Sequence, residues 1–171
     1  AMAQKAIGKN IASEYNFAVM DFLLGRREQA LKNLQPVLKA LETSKSDSNR
    51  SKIRQARCLH LMSMIKHSLG HEKEATNTLQ QARNKLPPRP MDTNMDPFSD
   101  LPPLPGTSEY RSLYYLKHEL ASIEFTNARF KILSGQIAEA TGILKMIKGF
   151  HSDLFDFLED DFLPLPPAYL R

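Results

Sequence analysis

The apolar residues of this chain recur at helical spacing, and nowhere do they alternate over a useful length as a strand requires. Over residues 3–24, Ile11, Tyr15, Ala18, Val19 and Phe22 fall at i, i+4, i+7, i+8 and i+11, one buried face of a helix. Gly25 breaks the run, and a second helix over 26–42 follows on Leu31, Leu34, Leu38 and Leu41. Pro36 sits inside it, where a missing donor predicts a bend or an interruption. Residues 43–50 contain nothing apolar and read as an exposed loop. A third helix, about 50–69, turns Cys58, Leu61, Met62, Ile65 and Leu69 one way and Leu59 another. A helix apolar on more than one side lies between two neighbours. Gly70 ends it, and a fourth, about 71–86, carries the stripe Ala75, Leu79, Ala82 and Leu86.

Residues 87–107 hold seven prolines and cannot continue a helix; they predict a long loop, partly ordered by Met95, Phe98 and Leu101. Thr107 or Ser108 caps a fifth helix that runs to about Ser134. Leu116, Leu120 and Ile123 form one of its stripes; Tyr114, Ala121, Phe125, Ala128 and Ile132 form another. Gly135 ends it, and a sixth helix over 136–149 follows on Ile137, Ala140, Leu144 and Ile147. A short acidic, aromatic helix is expected at 152–160.

One spacing recurs three times. Ala18–Gly25–Ala30–Leu34, Ser63–Gly70–Ala75–Leu79 and Ala128–Gly135–Ala140–Leu144 each place a small residue, a Gly seven positions on, an Ala five further and a Leu four further. The small residue lets two helices approach, the Gly turns the chain back, and Ala and Leu share one face of the returning helix. A helix pair repeated at fixed internal register reads as a helical repeat.

That register resembles the tetratricopeptide repeat. Residues 56–89 match best, with Leu59, Met62, Ser63, Gly70, Ala75, Leu79, Ala82 and Pro87 all in place. There are departures. Asp21, Lys66 and Lys131 stand where the family carries an aromatic residue. The family period is about 34 residues, whereas Gly25 to Gly70 is 45 and Gly70 to Gly135 is 65. The resemblance implies an all-α fold, a right-handed superhelical stack of about three antiparallel hairpins (about 3–42, 50–86 and 108–149) with a short C-terminal capping helix in the tail 150–171. It also implies a concave groove lined by the first helix of each pair. Transferred residue by residue, that groove is Tyr15, Val19 and Phe22, then Arg57, His60, Met64 and His67, then Phe125, Arg129 and Ile132. Such a groove is apolar at both ends with cations between, and suits a partner segment with hydrophobic anchors and carboxylates. One subfamily clamps a chaperone's terminal carboxylate with Lys and Asn. The matching positions here are Tyr15, Val19, Leu61, Ser122 and Thr126, which do not supply that chemistry.

Composition narrows the function further. With 171 residues, 42% hydrophobic and 25% charged, the chain fits one soluble domain. The net charge of +4 divides into +9 over residues 1–90 and −5 over 91–171. Arg50, Arg54 and Arg57, with Lys52 nearby, share a helix face that could hold an acidic peptide, a phosphate or RNA; a solvated helix start is the plainer explanation. His60, His67 and His71 lack a completing carboxylate or Cys, so no metal site is expected. Neither a phosphate loop nor a nucleophile motif is present, so no enzyme, cofactor or small-molecule substrate is expected. The lone Cys58 fits a reducing compartment, and the absence of a leader or an apolar span predicts an intracellular protein, cytoplasmic or nuclear, off the membrane. The opening Ala-Met-Ala reads as a cloning remnant on a piece of a longer protein. The expectation is a scaffold or adaptor domain within a multiprotein complex. The alternatives are a nucleic-acid-binding repeat using Arg50–Arg57 and an oligomerisation module.

Overall fold

The computed structural model describes residues 2–44, 48–86 and 108–150. Six helices account for them: α1 (Met2–Leu23), α2 (Arg27–Thr43), α3 (Asn49–Ser68), α4 (Glu72–Lys85), α5 (Ser108–Leu133) and α6 (Ile137–Phe150). Each expected boundary falls within two residues of the observed one, and no strand occurs among the described residues. The expected loop at 87–107 and the expected helix at 152–160 lie outside them, as does the side chain of Arg50.

The three glycines sit at the three tight corners. Gly25, Gly70 and Gly135 have φ of 79°, 84° and 79°, a left-handed conformation that side chains other than glycine's adopt at a cost. The hydrogen bonding is the same each time. The Gly25 N–H donates to Phe22 O and the Arg26 N–H to Asp21 O, at 3.0 and 2.8 Å. Gly70 and His71 repeat this onto His67 and Lys66, and Gly135 and Gln136 onto Ile132 and Lys131. This is a Schellman closure, which satisfies the last carbonyls of one helix. The residue after each glycine then opens the next helix, its carbonyl accepting from Ala30, Ala75 or Ala140.

The small residues do what their spacing predicts. Ala18, Ser63 and Ala128 are buried in the first helix of each pair, and Ala30, Ala75 and Ala140 in the second. The positions where the resembled family carries an aromatic are polar staples across each hairpin. Lys66 Nζ reaches Glu74 at 3.2 Å and Lys131 Nζ reaches Glu139 at 2.8 Å, at identical places in their hairpins. In the first hairpin, Asn33 donates to Asp21 at 2.9 Å.

Among the described residues, two apolar clusters form most of the core. In the first, Ala30, Leu34, Val37 and Leu41 of α2 pack with Ala18 of α1 and with Cys58, Met62 and Ile65 of α3. In the second, Ala75, Leu79, Ala82 and Leu86, from α4 and its C-cap, pack with Ile53, Ala56 and Leu59 of α3 and Leu116, Ile123 and Phe130 of α5. So α2 is shared by α1 and α3, and α4 by α3 and α5; α3 and α5 also touch. Cys58 is fully buried, its Sγ 3.8 Å from the Leu34 carbonyl, and burial, with Glu42 adding, pushes its thiol up to about 12.

Pro36 does not interrupt α2, contrary to one of the two expected outcomes. It occupies an exposed position between the buried Leu34 and Val37. The lost hydrogen bond and ring clash cost roughly 3 kcal/mol, which burying the four apolar side chains of α2 offsets at about 1.5–3 kcal/mol for each large one.

Candidate interaction groove

The residues matched to the groove lie on α1, α3 and α5, and the structure brings some of them together. Tyr15, Val19 and Phe22 from α1 and Met64 from α3 are half-buried and pack against the first core cluster. They serve the core and retain an exposed edge at once. His67 stacks on Phe130 of α5, ring centroids 4.1 Å apart and nearly parallel. Phe125 and Arg129 are half-buried, while Ile132 is exposed near the third corner.

At the centre lies a polar network. Arg57 Nε donates to Glu119 Oε2 at 2.8 Å, joining α3 to α5. His60 Nδ1 sits 3.6 Å from the other Glu119 oxygen, and its Nε2 makes a 2.7 Å hydrogen bond with the Thr126 hydroxyl. Glu119 is almost fully buried. Burial alone would raise its pKa; the His60 ring and the Arg57 guanidinium outweigh that and hold the carboxyl below its usual range. The same field reaches α1, where burial first, then the Glu119 charge, raises the Tyr15 phenol above its ordinary value. His118 is pushed down, by burial first and then by the Arg57 and His60 charges, against the opposing pull of Glu119. Burial also lowers His67; Arg129 reinforces the shift and Glu72 opposes it.

Glu119 is the residue that the sequence reading missed. Arg57 is therefore not an unanswered groove cation: its charge is shared with a buried carboxylate, though its side chain stays 41% exposed. Arg57 also leaves the basic stripe, since it points to α5 while Arg54 is exposed and Lys52 half-buried. A second buried carboxylate, Glu124, faces the other side of α5, where Arg83 of α4 comes within 3.0 Å of Oε1. That contact is an ion pair whose N–H is not aligned as a hydrogen bond. The signal for both was present in the sequence. Glu119 and Glu124 interrupt apolar stripes of a helix expected to be buried on two sides, which demands a buried partner for each.

No group of His, Cys, Asp and Glu suited to a metal ion occurs among the described residues. No helix among them is long and apolar enough to cross a membrane. Comparison with protein-family models, with curated proteins and with solved structures finds no match. The chain is therefore defined by its own geometry: its described residues are all-helical and form three glycine-cornered helix pairs.

Proposed function

We propose that this chain is a protein-interaction domain, a right-handed superhelical stack of tetratricopeptide-like hairpins acting as an adaptor or complex subunit. The observation that supports this is that the first helix of each pair carries half-buried side chains, Tyr15 on α1, Met64 and His67 on α3, and Phe125 and Arg129 on α5, while the Arg57–Glu119 pair joins α3 to α5. Half-buried aromatic and Met side chains on a rigid helical scaffold can anchor a peptide at low entropic cost. Because Glu119 answers Arg57, affinity comes mainly from these anchors. Carboxylates on the partner segment then meet Arg129 and the outer part of Arg57, which set its register.

Partners captured from a cell extract by the wild-type chain test this against the Phe125→Ala/Arg129→Glu double variant. Loss of about tenfold in affinity for the captured partner, with an unchanged melting temperature, is the expected result. Full retention by the double variant overturns the groove. Capture of nucleic acid instead, with affinity falling steeply as salt rises, replaces the reading with the Arg54 face.

A further inference from the structure

The internal register of the hairpins identifies a second surface, on the opposite side of α1 from the proposed groove. Subtracting 45 from a position in α3, or 110 from one in α5, gives its equivalent in α1, as Gly70 and Gly135 map onto Gly25. Met62 and Ile65 of α3 are buried under α2, and Phe130 of α5 is buried in the cluster that α4 completes. Their equivalents in α1 are Phe17 and Met20, which are 65% and 55% exposed. Leu24, one turn on, is the equivalent of the half-buried Leu69 and is 60% exposed. The helix that covers these positions in the second and third hairpins thus has no counterpart over the first among the described residues. Glu14 adds an independent sign. It is the equivalent of Glu124, which takes Arg83 from the preceding α4, yet Glu14 makes no ion pair among the described residues.

We propose that the Phe17–Met20–Leu24 face of α1 docks a helix from another polypeptide that repeats the chemistry of α4: Ala, Leu four on, Ala three further, Arg next, and an apolar residue to close. The covering interface already occurs twice within the chain, and α4 supplies its sequence as Ala75, Leu79, Ala82, Arg83 and Leu86. The cation after the second Ala is the part that Glu14 selects, as Glu124 selects Arg83. An alternative occupant is a second copy of this chain.

The probe is a helix-stabilised peptide of residues 71–86, titrated into the whole chain and followed by fluorescence anisotropy. Saturable binding is expected, weakened about tenfold by Phe17→Asp in the protein and unaffected by Phe125→Ala in the groove. Arg→Glu at the position of Arg83 in the peptide lowers affinity several-fold, and Glu14→Arg in the protein restores it. No binding at millimolar peptide, equal binding by Phe17→Asp, or a charge swap that fails to rescue overturns the proposal. A sedimentation result showing a dimer that Phe17→Asp splits also overturns it, and assigns the face to a second copy.

Discussion

Arg57 and Glu119 are partners with unequal freedom. Glu119 is nearly enclosed, whereas Arg57 is 41% exposed and can turn its charge to water. Removing the arginine leaves a buried carboxylate with only the His60 ring to answer it; removing the carboxylate releases a cation that can reach water. Arg57→Ala is therefore expected to cost about 3 kcal/mol or more, and Glu119→Gln only about 1–2 kcal/mol, as read by urea unfolding. Equal costs would mean that the pair is solvated throughout. Two histidines contribute to the acid response. His67 and His118 are both held below the usual 6.5, so the unfolded chain takes up protons first as pH falls. The stability they hold is complete above 6.5 and drains as pH falls through their lowered folded values. A melting temperature that drops below pH 6.5, with a shallower drop in His67→Gln, is expected.

At the scale of elements, the corners carry the most transferable information. A side chain placed on Gly70 would meet nothing within 4 Å, so only its φ of 84° penalises substitution. Gly70→Ala is expected to cost about 1–2 kcal/mol, and Gly70→Asn distinctly less because Asn tolerates left-handed backbone. Thermal unfolding of both variants checks the order. The corners were legible because glycine, a small residue and an Ala–Leu pair are local signals that need no knowledge of neighbours. Pro36 was legible as a defect but not as one the helix absorbs, since that depends on Leu34 and Val37 being buried by α1 and α3. The polar network was harder still. Glu119 stands 62 residues from Arg57, across the Pro-rich segment, and nothing local says which cation it meets. The groove residues could be placed on helices, but the charge left to them could not be read before α5 was positioned.

Across the whole molecule, the third hairpin is joined to the second by an apolar seam and by two ion pairs on different sides of α5. Arg57–Glu119 fastens it to α3 and Arg83–Glu124 to α4. Both carboxylates are buried only when α5 is seated, so a slipped seating leaves them facing hydrocarbon. Replacing both Arg57 and Arg83 with Ala is expected to loosen α5 and α6 before the rest. Amide hydrogen exchange would then quicken in residues 116–147 while α2 and its seam with α3 keep their protection. Uniform acceleration along the chain would show that the hairpins open as one unit.

The solitary thiol gives the molecule a gauge of its own breathing. Enclosed against the Leu34 carbonyl and pushed up to about 12, Cys58 presents almost no reactive thiolate at neutral pH. An alkylating reagent reaches it only when α2 lifts from α3, so the labelling rate of the unmodified chain counts those openings directly. With one such group in the sequence, no engineered tag is needed to time the parting of the first two hairpins.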